Sequence, residues 1–278
     1  MGLRAGYNSL VPFQGLRVLS LETRRGAEIA ELIRRQGGSP FVAPSLREAP
    51  AEELEPVFAL AERLFRGEFE MMMFLTGIGV RQLNRLLASR YPERHFAEAL
   101  RRLTTAVRGP KPVAALREMG VQPTLVAPEP NTWRELIAIT EGRPERRIAV
   151  QEYGRPNPEL LSALRSRGAE VTAIRVYQYA LPEDTSLLRE AAKRLAAGEF
   201  DVALFTTAVQ IEHLARVADE EGIGEAMLAG LRRAFIASIG PTTTEALEVY
   251  DLRPALEPSH PRMGLLVAET ARRLSHEG

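Results

Sequence analysis

Apolar residues along this chain fall into two alternating patterns. Short uninterrupted runs such as Met71–Leu75 and Val202–Phe205 suit strands buried on both faces. Between such runs, apolar side chains recur every three or four residues, as Ile29, Leu32 and Ile33 do within Ala27–Gln36. That spacing predicts amphipathic helices. The pattern reads as strand Arg17–Glu22, helix Ala27–Gln36, a glycine stop at Gly37-Gly38 and a second strand opening at Pro40–Val42. Helix Glu52–Phe65, strand Met71–Leu75, helix Ile78–Ala88, strand Leu103–Val107, helix Pro110–Met119 and a helix near Thr132–Ile139 follow. The series then restarts with strand Arg147–Val150, helix Pro158–Arg167, strand Val171–Tyr179, helix Asp184–Ala197 and strand Val202–Phe205. Helix Val209–Ala218, strand Phe235–Ser238, helix Thr242–Val249 and helix Arg262–Leu274 complete it.

The restart has a fixed spacing. Gly67-Glu68-Phe69-Glu70 before Met71–Leu75 answers Gly198-Glu199-Phe200-Asp201 before Val202–Phe205, 131 residues on. Gly109-Pro110 answers Gly240-Pro241, and Ala115-Leu116 answers Ala246-Leu247, at the same offset. Gly37 answers Gly168 at 131, and Arg17-Val18 answers Arg147-Ile148 at 130. Several anchors sharing one offset predict two copies of one α/β unit. Strand-helix alternation predicts parallel sheets covered on both faces. Ligands of such sheets bind beyond the carboxyl ends of the strands. A cleft between two such domains is the expected site.

Composition narrows the function classes. The 278 residues favour two domains. The 36 basic and 36 acidic residues cancel, so no charge imbalance calls for nucleic acid or a membrane surface. Cysteine is absent, which removes disulfides, a thiolate nucleophile and Cys-based metal sites. His95, His213, His260 and His276 are scattered and read as surface or helix-end residues, so no metal is expected. Met1–Gln14 lacks the apolar core of a signal peptide, and no window has the apolar length of a membrane span. A cytoplasmic protein is expected. Lysine occurs only at Lys111 and Lys193, which says nothing of function.

Few motifs carry chemistry. Gly77-Ile78-Gly79 has Gln82 where a dinucleotide fingerprint needs its third glycine. What remains is a set of hydroxyls after apolar strands: Thr76, Thr207 and the run Thr242-Thr243-Thr244. Threonine there is a favoured helix N-cap. The same turns also offer helix N-termini, which hold anions through free backbone N–H groups. Both readings stand on the residues alone.

Several short motifs resemble those of uroporphyrinogen-III synthases. Thr23-Arg24 resembles the opening motif of that family, Phe205-Thr206-Thr207 its phenylalanine-hydroxyl-hydroxyl turn, and Phe74-Leu75-Thr76, followed by Gly77, the first-half counterpart. Val176-Tyr177 is similar to its Val-Tyr motif, and Ile239-Gly240-Pro241-Thr242-Thr243 with Ala246-Leu247 is the sharpest match. The resemblance spans Arg17 to Thr270. Gly109-Pro110-Lys111-Pro112 departs from it by lacking the second-half threonines. Thr76-Gly77 and Thr207-Ala208 stand where members often carry serine and other small residues.

The resemblance implies two flavodoxin-like parallel-sheet domains joined by a two-stranded linker. The implied domains are discontinuous, Met1–Ser45 with Gln178–Gly278 and Leu46–Tyr177 between them. The crossing strands would be Ser39–Leu46 and Val171–Leu181. It also implies a cofactor-free, monomeric enzyme of haem, sirohaem and cobalamin formation, whose small-molecule substrate is hydroxymethylbilane. Loss of the terminal hydroxyl gives an azafulvene, ring D attacks through its substituted carbon, and a spiro intermediate recloses with that ring inverted. On this reading Tyr177 is catalytic, helping hydroxide leave; by residue type alone it is equally an ordinary aromatic beside Tyr179. Thr23, Arg24, Thr76, Gly77, Thr206, Thr207, Gly240, Pro241, Thr242 and Thr243 would bind substrate. A two-domain binding protein without catalysis is the alternative, and it would usually be exported. A nucleotide-dependent transferase would be stabilised by nucleotide.

Overall fold

A computed structural model describes residues 13–51, 53–152, 154 and 156–275. His276 and most of the N-terminal stretch lie outside the described residues. The chain divides into two compact units, one of residues 1–47 with 181–278 and one of residues 48–180. The division falls two or three residues beyond the expected 45/46 and 177/178.

The first pass through unit 1 makes β1 (Arg17–Ser20), α1 (Gly26–Arg35) and β2 (Ser39–Val42). The chain then forms β3 (Arg47–Pro50), α2 (Glu55–Phe65), β4 (Met71–Phe74), α3 (Gly77–Ala88), α4 (His95–Leu100), β5 (Thr104–Val107), α5 (Pro110–Glu118) and β6 (Leu125–Val126). Unit 2 continues with α6 (Trp133–Ala138), β7 (Arg147–Gln151), α7 (Pro158–Ser166), β8 (Glu170–Ile174) and β9 (Tyr177–Ala180). Unit 1 is completed by α8 (Ser186–Ala196), β10 (Val202–Phe205), α9 (Val209–Glu220), α10 (Gly224–Arg233), β11 (Phe235–Ser238), α11 (Pro241–Glu248) and α12 (Met263–Ser275).

Unit 1 holds a parallel sheet in the order β11-β10-β1-β2. Unit 2 holds β6-β5-β4-β7-β8, also parallel. The pairings keep the spacing seen in the sequence. Val202 pairs Phe235 as Met71 pairs Thr104, and Arg17 pairs Ser39 as Arg147 pairs Glu170. An ion pair at the amino edge recurs as well. Arg17 meets Asp201 at 3.0 Å in unit 1, and Arg147 meets Glu70 at 2.9 Å in unit 2. Each carboxylate also accepts the arginine's backbone N–H. The helices before β4 and β10 stop alike, at Gly67 and Gly198 with φ of 73° and 72°, a left-handed turn open chiefly to glycine.

Alternation of side chains across a strand decides the cores. In unit 1, Val18, Val202 and Leu204 face Ile29 and Ile33 of α1 and Leu266 of α12. Leu19, Ala203 and Phe205 face Leu188, Ile211, Leu214 and Met227 of α8–α10. All four residues of β4 and of β10 are buried. In unit 2 one core joins both helix layers and includes Tyr177.

Some elements differ from the sequence expectation. Ser39–Leu46 is not one strand: Ser39–Val42 stays in the unit 1 sheet, and the pairing segment is β3, bound to β9 in a separate two-stranded sheet. Val171–Tyr179 likewise breaks at Arg175-Val176 into β8 and β9. A narrow ribbon such as Arg47–Pro50 is half-exposed and carries no apolar alternation to read. Helix α2 opens three residues later than expected, because β3 takes the preceding chain. Helices α4 and α10 and the two-residue β6 are additional.

Candidate functional site

A sheet in flavodoxin order binds ligands where the strand order reverses, at the carboxyl ends. In unit 1 that point lies between β1, whose connection α1 covers one face, and β10, whose connection α9 covers the other. The turns after β1, β10 and β11 lie on neighbouring strands. Together they collect Thr23 and Arg24, Thr206 and Thr207, and Gly240 through Thr243.

Hydrogen bonds sort these residues. Thr23 Oγ1 accepts the N–H groups of Ser45 (3.2 Å) and Leu46 (3.3 Å), so it secures the chain leaving β2. His213, expected at the surface or a helix end, is half-buried within α9, and its Nδ1 lies 2.7 Å from the carbonyl oxygen of Ser45. Burial lowers the His213 pKa, opposed by that bond. Thr206 Oγ1 donates to Glu22 Oε2 at 2.6 Å and accepts from Gln210 Nε2 at 2.9 Å. Gln210 Oε1 accepts the N–H groups of Thr206 (2.7 Å) and Thr207 (3.2 Å). Two N–H groups of the α9 turn are thereby satisfied internally. The hydroxyls of Thr207, Thr242 and Thr243 form no hydrogen bond among the described residues.

The capping expectation fails at two of its three places. The N-cap of α9 is Ala208, one residue after Thr207, and that of α11 is Gly240, so Thr242–Thr244 lie in the first turn. Proline at the first helical position, Pro241, moves the start forward. Thr244 joins Ser238 Oγ (2.5 Å) and Glu257. Gly240 meets only Pro261 Cβ, 3.8 Å from where its own Cβ would stand, and its φ of 162° is extended. Neither space nor backbone demands glycine there, and the amino end of α11 is left uncovered by a side chain at that position.

In unit 2 the order reverses between β4 and β7. Thr76 caps α3, Oγ1 accepting from Gly79 N at 3.0 Å. The same oxygen accepts the Tyr177 hydroxyl at 3.2 Å. Tyr177 is wholly buried, and its ring meets Tyr179 edge-on at 5.5 Å. Burial, and next the neighbouring Tyr179, push the phenol pKa up, so it stays protonated. The glycines here have packing reasons. A Cβ on Gly77 would stand 2.5 Å from the Lys111 carbonyl oxygen, and one on Gly79 2.0 Å from Gln151 Nε2. Gln151 is buried, with Oε1 unpartnered. Glu152, also buried, accepts Asn157 N at 2.8 Å, and burial raises its pKa.

Sequence reasoning passed over Glu22, Gln210, Gln151 and Glu152. One signal was available: Glu22 and Glu152 follow the first strand of each copy, 130 residues apart. Among the described residues no group of three or more His, Cys, Asp or Glu could hold a metal, and no helix is long and apolar enough to cross a membrane.

Comparison with known proteins bears on this arrangement. The family profile described as uroporphyrinogen-III synthase HemD matches residues 27–268. A relative titled "Uncharacterized protein YjjA" from Bacillus subtilis (strain 168) is 30% identical over 93% of this chain and 96% of its own. A "Putative uroporphyrinogen-III synthase" from Methanothermobacter thermautotrophicus is 30% identical over 82% and 87%. The crystal structure of a mutant uroporphyrinogen III synthase from the extremely thermophilic bacterium Thermus thermophilus superposes with a TM-score of 0.72 at 25% identity, covering 95% of this chain and 100% of that one. Its wild-type counterpart gives 0.55 at 27% identity, over 95% and 99%. With the family profile spanning both units and the parallel two-domain fold shared, the chain belongs to the uroporphyrinogen-III synthase family.

Proposed function

We propose that this protein, acting as a monomer without cofactor, cyclises hydroxymethylbilane to uroporphyrinogen III and water. The family match across residues 27–268 carries the proposal. Chemically, the enzyme must assist departure of hydroxide and hold a flexible linear tetrapyrrole in the one arrangement that inverts ring D. Positioning alone can supply several kcal/mol of such a barrier.

Thr76 and Tyr177 suit the first task. The Tyr177 hydroxyl is buried and already donates to Thr76 Oγ1, so in this proposal Tyr177 acts through Thr76. A hydroxyl that accepts from both a phenol and the Gly79 N–H is polarised, and its own hydrogen becomes a better donor. Thr76 is then the group that hydrogen-bonds the leaving hydroxyl, and Tyr177 the residue that positions and polarises it. The hydroxide takes up the proton that the pyrrole nitrogen of the same ring releases as the azafulvene forms, and departs as water.

Substrate carboxylates are the natural ligands for the second task. Thr242, Thr243 and the uncovered first turn of α11 offer hydroxyls and helix N–H groups. Thr207 and Arg24 extend that donor set in unit 1, and in unit 2 Gly77 is proposed to let the turn after Thr76 pack closely against Lys111. Thr23 and Thr206 are proposed to shape the turns that carry these donors, since their hydroxyl oxygens are engaged internally.

The test is direct. Purified protein, with chelator present, is given hydroxymethylbilane, and the product isomer is read. The type III isomer is expected. Only the spontaneous type I isomer, at the uncatalysed rate, would overturn the proposal and leave a binding protein of the same fold.

A further inference from the structure

We propose that Glu22 is a positioning residue of the unit 1 site, clamping the turn after β1 to the turn after β10 so that Arg24 and Thr207 are held ready for substrate; this rests on the function proposed above.

Three bonds make the clamp. Glu22 Oε1 accepts the backbone N–H groups of Arg24 (3.1 Å) and Arg25 (3.2 Å), which shapes its own turn. Glu22 Oε2 accepts the Thr206 hydroxyl at 2.6 Å, 184 residues away in sequence. Gln210, itself buried, completes the arrangement by bonding both Thr206 Oγ1 and the N–H groups of Thr206 and Thr207. The only hydrogen of the Thr206 hydroxyl is committed to Glu22, and its oxygen accepts from Gln210. The hydroxyl of the next residue, Thr207, bonds no described residue.

Unit 2 shows that the fold does not require this cluster. At the matching positions, 130 or 131 residues away, stand Glu152, Leu75 and Gly79. Leu75 is buried and apolar, and Glu152 bonds its own following loop at Asn157 N. The same strand order and register are built there without a carboxylate-threonine link. A half-buried charge held by two N–H groups and a hydroxyl is a costly device, and it appears where the sheet edge also carries Arg24, Thr207 and the α11 turn. A carboxylate with its lone pairs engaged can sit beside a binding site for anions without acting as a ligand itself.

The experiment compares Glu22→Gln, Glu22→Ala, Thr206→Val and the double variant Glu22→Ala/Thr206→Val in steady-state conversion of hydroxymethylbilane, with melting temperatures. Glu22→Ala is expected to raise KM about tenfold or more, as expected when binding groups are displaced by a fraction of an ångström. Its melting temperature should fall by no more than about 4 °C. Glu22→Gln keeps an acceptor for the two N–H groups and should lie between wild type and Glu22→Ala. The double variant should be no worse than Glu22→Ala, because both lesions break one clamp. Wild-type KM in Glu22→Ala and Thr206→Val would overturn the inference. So would a fall in apparent kcat at unchanged KM that tracks the melting temperature, which is the mark of a residue that only stabilises. Inactivity of the wild-type protein would instead overturn the proposed function, and this inference with it.

Discussion

Hydroxyl groups in this protein differ by what they already hold. Thr76 Oγ1 holds two donors and keeps a hydrogen to give, whereas Thr206 has already given its hydrogen to Glu22. Tyr177→Phe keeps the buried ring and removes its hydroxyl, and with it the bond to Thr76. Turnover should fall roughly ten- to a thousandfold, with about 1 kcal/mol of stability lost. Thr76→Val should slow the reaction at least as much, and also lose its cap, worth about 1 kcal/mol. If Tyr177 acts through Thr76, the double variant is no slower than Thr76→Val; multiplied losses would show independent roles. Thr243→Val separates binding from folding. The side chain is buried, but its hydroxyl bonds no described residue and it does not cap α11. Melting should therefore stay at the wild-type temperature while KM rises, and a loss confined to stability would make Thr243 structural.

At the scale of elements, close backbone approach decides how helices cover the sheet. Helix α10 crosses α8 at Gly230, where an added Cβ would stand 1.8 Å from the Leu195 carbonyl oxygen. Backbone cannot swing aside as a side chain can, so Gly230→Ala must push α10 outward. Overpacking of this kind costs about 1–3 kcal/mol. Chemical denaturation should show that loss, while KM stays unchanged because α10 carries none of the site residues. An unchanged denaturation midpoint would mean that the helix pair yields freely. The sequence did not announce α10 or α4. Their apolar faces are short, and what makes them helices is the hydrophobic surface each covers within its own unit.

For the whole molecule, Glu145 is the carboxylate whose contribution to acid stability stands out. Glu145, which precedes β7, bonds Arg143 at 2.6 Å and the Thr104 hydroxyl of β5 at 2.6 Å. Its side chain is 9% exposed. These partners, Arg143 first, bring its pKa from 4.5 down to about 2. A depressed carboxylate pKa stabilises the fold above the ordinary value, and that stability drains away as pH falls from 4.5 towards 2. The shift corresponds to roughly 3 kcal/mol. Glu145→Gln should thus be less stable than wild type at about pH 7 by an amount of that order, with the gap closing near pH 2. A gap independent of pH would assign the loss to packing instead of charge. The many surface arginine pairs elsewhere cannot be counted the same way, since exposed pairs contribute little.

Much of this architecture is written in short-range order. Buried strands announce themselves as unbroken apolar runs, and the 131-residue spacing foretells which strands of one unit answer those of the other, because register depends on the same alternation of side chains. The turns that carry Thr76, Thr207 and Gly240-Pro241 were legible for the same reason: each must follow a buried strand. What each hydroxyl does there was not legible. Thr206 meets Glu22 across 184 residues, and Tyr177 meets Thr76 across 101. No periodicity encodes a hydrogen bond between side chains so far apart in sequence. Residue type leaves a threonine free to cap, to clamp or to bind, and only the packed sheet, by setting which oxygen lies within 3.3 Å of which donor, chose among them.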